Sequence, residues 1–279
     1  MKKIIYDIGS NNGDDIPYYL MKGDVVVAIE ANPVLCEGIR QKFVAEIKAG
    51  RLIVESCVVT ADEGSDEVDF YLHKTNHVLG QLPEPDETNV DQFTQIKLPS
   101  KSVLSIIKTY GTPYYIKVDI EHYDAPLLRA IFAGELRPSF ISAESHSIEV
   151  FLTLAGEGRY NAFKLVDGYS VDRVYANRLI KSQSTQEQAR YSFPLHSAGP
   201  FGDDVDGEWM TSDNFFKLLA FEGLGWKDIH ATNIEDPNPS AQPRAFDYLD
   251  QLINRNEILS LLPYIGSRFK RMFLRRLAG

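Results

Sequence analysis

Apolar and polar positions fall in alternating blocks through the first half of the chain. KIIYDI is strand-like and DDIPYYLMK helix-like, and DVVVAIE is continuous in apolar character, as a strand buried on both faces should be. NPVLCEGIRQKFVAEIKAG reads as one helix, with Asn32 as N-cap, Pro33 at the first position and Gly50 past the end. RLIVESCVV predicts a third strand and DEVDFYLHK an alternating one, and SKSVLSIIKTYG a short helix capped by Ser100 or Ser102. YYIKVDIE is then a strand, DAPLLRAIFAGEL a helix with Asp124 as its cap, and SFISAES, SIEVFLTLAGEG and AFKLVDG are a strand, a helix and a strand. This alternation predicts an α/β fold: a mostly parallel sheet, helices on both faces, right-handed crossovers.

The pattern changes after Asp167. Tyr169 to Met210 is long, polar and weakly periodic, and a stretch of this kind in a compact domain is usually functional or disordered. It is expected to act as a lid, with Gly199, Gly202 and Gly207 as hinges, Phe201 and Trp209 as apolar cover, and His196 and Asp203 as polar contacts. MTSDNFFKLLAFEGLGW predicts a helix capped by Ser212 or Asp213. The chain accordingly divides into a domain over 1–234 with its lid at 169–210, a proline-rich connector over 235–244, and a helical extension over 245–279 that ends basic.

Charge narrows the choice of partner. With 29 Lys and Arg against 39 Asp and Glu the net charge is -10, the wrong sign for nucleic acid, which needs a clustered basic face. Cys36 and Cys57 fit neither a disulfide scaffold nor a metal spacing. The apolar run after Met1 stops at Asp7, too short for a secretory h-region. No later stretch nears the roughly 20 apolar residues of a membrane span. The chain is expected to be soluble and cytoplasmic.

The chemistry starts at the first turn. Gly9 and Gly13, with Ser10, Asn11 and Asn12 between them, join the first strand to a helix, where backbone can approach a ligand closely. Glu30 ends the second strand, placed to accept hydrogen bonds from both hydroxyls of a ribose. A dinucleotide fingerprint would read G-x-G-x-x-G, but Ser10 and Asn11 occupy the place of its second glycine. Asp7 would moreover repel a pyrophosphate. A carboxylate suits a cationic ammonium or sulfonium, so the turn favours S-adenosylmethionine (SAM) over NAD.

The segments YDIGSNNGDDIPYYL, VVAIEANP, VVTADEGSDEVDFYL and IKVDIEHYDAPLLRAI, in this order, resemble the FkbM-type family of SAM-dependent methyltransferases over roughly Lys3 to Ser145. The resemblance implies a class I SAM-methyltransferase (Rossmann-like) fold with a mostly parallel seven-stranded sheet. It implies SAM contacts from Asp7, Gly9, Asn11, Gly13 and Glu30, with Asp119 facing the methyl-donor site; Ser10, Ala31 and Asn32 adjoin these and join the candidate set. It further implies methylation of hydroxyl oxygens on sugars or natural-product scaffolds. His122 stands where the family usually has glycine, and Asp124 where it usually has glutamate.

Methyl transfer to oxygen is an in-line displacement, so positioning supplies much of the acceleration. A general base adds roughly 10²–10⁴-fold. Asp119, Glu121, His122, Glu144 and His146 are the candidates at the carboxyl ends of the strands, with His196 in the long segment. Asp119, Glu121 and Glu144 could offer hard oxygen ligands, but their spacing does not require a metal and none is assigned. Substrate choice would lie in His73 to Gln92 and in Tyr169 to Met210. The expected partner is a small-molecule or glycan acceptor, with no preference as to oligomeric state.

At the C-terminus Arg268, Lys270, Arg271, Arg275 and Arg276 occur with no acid. A helix there clusters Ile265, Phe269, Met272, Phe273 and Leu277, with Arg276 interrupting the apolar arc. It suits docking on the protein's own acidic body, weak contact with the inner membrane face, or an acidic partner. Two other functions compete: an NAD(P)-binding oxidoreductase, for which a third glycine and a Tyr-x-x-x-Lys pair are lacking, and a SAM-fold binding protein that has lost its chemistry.

Overall fold

A computed structural model of the chain describes residues 2–64, 66–183, 185–235 and 237. In chain order the elements are β1 (Ile4–Ile8), α1 (Ile16–Lys22), β2 (Val25–Glu30), α2 (Pro33–Lys42), α3 (Val44–Lys48), β3 (Leu52–Ser56), β4 (Val58–Thr60), β5 (Glu67–His73), β6 (Phe93–Ser102) and α4 (Val103–Tyr110). They continue with β7 (Pro113–Val118), α5 (Asp124–Ala133), β8 (Phe140–Ser145), α6 (Ile148–Ala155), β9 (Ala162–Asp167), α7 (Val171–Val174), β10 (Arg178–Lys181), β11 (Gln188–Tyr191), α8 (Ser212–Glu222) and β12 (Gly225–Thr232). The seven-stranded sheet runs β3-β2-β1-β7-β8-β12-β9. Its first five strands are parallel, and β12 is antiparallel to both neighbours. The chain begins in the middle, builds outward to β3 and returns to β7, so the sheet order reverses between β1 and β7. A ligand crevice belongs beyond their carboxyl ends.

Alternation along the strands gives the sheet two unlike faces. Tyr6, Ile8, Val27, Ile29, Ile116, Val118 and Ile141 pack with Ile106, Leu128, Ile131, Phe151 and Phe215 of the helices in one apolar layer. Opposite, Ile5, Val26, Ala28 and Tyr115 meet Ile16, Tyr18 and Tyr19 of α1, and then Phe193, Phe201 and Val205. The segment expected to act as a lid therefore contributes Phe193, Ala198, Phe201 and Val205 to the interior. Phe201 stacks on Tyr115 with centroids 3.9 Å apart and planes at 10°. Its N–H donates to Tyr18 Oη (3.1 Å), and Tyr18 donates in turn to Asp204 (2.8 Å). Gly199 and Gly202, expected as hinges, are buried turn positions with φ of +83° and +65°.

Several expected elements changed extent. The helix over 33–50 divides at Phe43 into α2 and α3. RLIVESCVV splits at Cys57, β3 joining the main sheet and β4 a small one ordered β4-β6-β5. In that sheet β6, on a stretch read as polar, pairs antiparallel with β5. Asn32 and Ser102 cap as expected, through Val34 N–H (3.0 Å) and Ser105 N–H (3.2 Å). Thr211, rather than Ser212 or Asp213, caps α8, and Asp124 sits in the first turn of α5 rather than at its cap. Both cysteines are free and buried. Among the described residues no helix is long and apolar enough to cross a membrane. The basic C-terminal extension and nearly all of the connector lie outside the described residues.

Phe201→Ala should destabilise the protein by about 3–5 kcal/mol, because the ring fills a closed aromatic stack that cannot collapse around the void. Equilibrium denaturant unfolding measures this; an unchanged midpoint would mean that the segment is not part of the core.

Candidate active site

The first turn is shaped by one close approach. Gly9 has φ of +84°, and a Cβ there would lie 1.8 Å from the carbonyl oxygen of Asp119. No side chain fits between the ends of β1 and β7. Gly9 and Ser10 donate their N–H groups to Ile29 O (2.9 and 3.0 Å), and Asp119 N–H donates to Ile8 O (3.0 Å), so three strand ends are tied together. Gly13 (φ +78°) lies against Ile16 and Ile39 and serves the shape of the turn.

Beyond this turn opens a cleft of about 690 Å³, mouth included, lined by Gly9, Asn11, Glu30, Ala31, Asn32 and Asp119 among the residues expected from sequence. Its sides are apolar, from Ile29, Val58, Val59, Phe70 and Leu72, and its cover is His77, Val78, Gly80 and Leu82 from the loop after β5. The roof thus comes from the β4–β6 insertion. Glu30 accepts from Asn11 N–H through one carboxylate oxygen and from Asn32 N–H through the other, both at 2.8 Å. Burial outweighs these bonds and raises its pKa to about 7.

Asp7 and Ser10 occupy other places than expected. Both are buried behind the turn, at 1% and 5% exposure, and neither is among the lining residues. Asp7 cannot face a ligand directly because β1 turns its side chain to the face shared with Lys117, its partner in register. Lys117 Nζ stands 3.1 Å from Asp119, 3.7 Å from Asp15 and 3.8 Å from Asp7. Burial alone would depress the Lys117 ammonium, but Asp119, Asp7, Asp15 and Asp228 reverse this and hold its pKa well above the usual value. Burial pushes Asp7 up to about 7 against the pull of that ammonium. Lys117, Asp15 and Asp228 escaped the sequence reading. Their signal was a lysine inside the apolar strand YYIKVD, a position that needs carboxylates.

At the ends of β7 and β8 the expected catalytic residues do converge. His146 Nε2 lies 3.1 Å from Glu144 and 3.5 Å from Glu121. Burial opposes the charge on His146, yet the carboxylates, Glu144 first, raise its pKa to about 9. Burial raises Glu121 to about 7 and also raises Glu144. His122 is exposed, its ring 4.9 Å from that of His146. Burial and the His146 charge lower its pKa. Glu121 and His122 have φ of +37° and +66°, the left-handed region glycine fills most easily. His196 is not in this cluster; it stacks on Trp226 at 5.4 Å.

A second cleft, of about 930 Å³ with its mouth, adjoins the first and shares Glu121 with it. Its walls carry His73, Gln81, Asp86, Asn89, Gln92 and His122. Most of its lining comes from the stretch 73–92 expected to choose the substrate.

The Methyltransferase FkbM domain matches residues 7–169. No curated protein matches the chain. Among solved structures, precorrin-6y C5,15-methyltransferase from Geobacter metallireducens GS-15 is 10% identical, over 84% of this chain and 80% of that one, with a TM-score of 0.37. A putative RNA methyltransferase, PH1948 from Pyrococcus horikoshii, is 10% identical over 84% and 76%, with a TM-score of 0.35. Likeness at this level says nothing of substrate. The domain match spans more than half of the 279 residues, including the first turn, Glu30 and the cluster at the ends of β7 and β8, on a parallel sheet closed by one antiparallel strand: the chain belongs to the FkbM methyltransferase domain family.

Proposed function

We propose that the chain transfers a methyl group from SAM to a hydroxyl oxygen of a saccharide or similarly hydroxylated metabolite. The observation that carries this reading is the meeting of two clefts at Glu121, one apolar with an acidic end and one lined by amides and imidazoles.

The residues of the first cleft fit SAM. Each Glu30 oxygen has accepted one backbone N–H, which leaves acceptor capacity for two ribose hydroxyls. Val58, Val59, Phe70 and Leu72 make an apolar slot of the kind a purine ring occupies. Asn11 Oδ1 is buried with no hydrogen-bond partner among the described residues, an acceptor for a ligand donor. Asp119 and the carboxylates behind it give the cleft floor an acidic field that favours a cation and disfavours the pyrophosphate of NAD(P). When bound, SAM supplies an electrophilic methyl group on a sulfonium.

The remaining work falls to the chain. Lys117 fixes Asp119 in the lining of the first cleft. Asp119 and Glu121 line the first cleft, and one of these two carboxylates receives the acceptor's hydroxyl proton. Gln81, Asn89, Gln92, His73 and His122 offer donors and acceptors that match a polyhydroxylated ring, while the loop 76–82 keeps water from the first cleft. A binding protein without activity would share the first cleft but need no acceptor side.

Glu30→Ala should weaken binding of S-adenosylhomocysteine by about 1.5–3 kcal/mol, the worth of hydrogen bonds to a charged group, and Gly9→Val should abolish it. Calorimetric titration reads both, and a parent protein that binds NAD but not S-adenosylhomocysteine would overturn the assignment. Asp119→Asn should lower methyl transfer to a hydroxylated acceptor by about 10²–10⁴-fold while the protein stays folded. The assay is S-adenosylhomocysteine release over a saccharide panel, with the methylated atom identified by NMR; methyl groups found on nitrogen or carbon would refute the hydroxyl reading.

A further inference from the structure

We propose that Asp119, Glu121, Glu144 and His146 bind one divalent metal ion of the class that takes mixed carboxylate and imidazole ligands, Mn²⁺ being the representative. One ligand atom from each of the four can be chosen so that all lie within 4.8 Å of one another. Ligands at roughly 2.0–2.6 Å from a common ion stand roughly 4–5 Å apart when opposed, so the group already has nearly the span of one coordination shell. Glu144 lies in β8, and Asp119, Glu121 and His146 lie within three residues of the ends of the adjacent parallel strands β7 and β8.

Two buried atoms point the same way. His146 Nε2 is buried and stands between two carboxylates, 3.1 Å from Glu144 and 3.5 Å from Glu121. Asp124, 1% exposed, contributes from the first turn of α5 a second oxygen, Oδ2, that has no partner among the described residues. Lys117 meets this group at Asp119 but is shared with Asp7 and Asp15 on its other side. The acids therefore exceed their nearby cations, and a divalent ion restores the balance.

The donor set selects the ion. Three carboxylates and one imidazole exclude thiolate-type sites and favour metals that accept both oxygen and nitrogen. Asp119 is 33% exposed, and Glu121 borders both clefts, so the ion would keep open positions toward an acceptor hydroxyl. That role rests on the function proposed above; the site itself does not.

The test is titration of the full chain, freed of metal, with Mn²⁺ alone, read by calorimetry and by loss of the free-ion electron paramagnetic signal. Saturable binding of a single ion is expected. Glu144→Gln and His146→Ala should each weaken it by about tenfold or more, since even residues behind the ligands typically matter by that factor. Glu149→Gln, on the surface of α6, should leave it unchanged. S-adenosylhomocysteine titrations on the same variants report folding; if Glu144→Gln fails to fold, His146→Ala and Asp119→Asn carry the comparison. No saturable binding by the parent, or equal binding by the ligand variants, overturns the site and leaves His146 as an internal counter-ion. Mn²⁺ binding without S-adenosylhomocysteine binding upholds the site and refutes the proposed function.

Discussion

A lysine ammonium inside a sheet must be met by carboxylates, because a buried charge without a partner costs several kcal/mol. Lys117, 4% exposed on β7, is in register with Asp7 of β1 and reaches Asp15 and Asp119 as well. Those acids sit at the only kind of place where this is affordable, the crevice where the strand order reverses. Satisfying one ammonium thereby fixes the end of β1, the entry to α1 and the end of β7 relative to one another.

The consequences run outward through Asp15. Standing at the N-cap position of α1, it accepts from Ser197 Oγ and from Ala198 N–H (3.1 Å), a partner loop nearly the whole domain away in sequence. That loop leads into Phe201, which closes the aromatic stack on Tyr115 and the bond to Tyr18. The late segment is thus drawn onto the face of the sheet where α1 packs. The first cleft is lined instead by the loop after β5, carried by the small sheet that β4 and β6 build beside β3.

The same face carries most of the buried polar residues of the sheet. Lys117, Ser142, Glu144, Asp228, His230 and Lys164 share it across four strands. Burial and the nearby Lys164 charge push His230 down to about 3, so it is neutral, while Tyr115 Oη and Ser142 Oγ satisfy each other at 2.7 Å. Polarity increases toward the carboxyl ends, where Asp119, Glu121, Glu144 and His146 come together. One face supplies cohesion, and the other supplies a graded path from packed interior to chemistry.

The local pattern determined a good deal by itself. Runs such as DVVVAIE and the caps at Asn32 and Ser102 act through near neighbours, so strands, helices and the glycine turn with Glu30 were legible. Where strand character was masked by polar residues, as in Phe93–Ser102 and Gly225–Thr232, pairing with β5, β8 and β9 decided the outcome, since β propensity is largely a matter of neighbours. The glycines of 192–205 suited a hinge equally well as a buried turn; only packing against Tyr18 and Tyr115 chose. Sequence likewise placed Asp119, Glu121, Glu144 and His146 at strand ends, but not within a coordination shell of one another. That distance is set by the lateral pairing of β7 with β8, and pairing between strands far apart along the chain leaves no mark on either one alone.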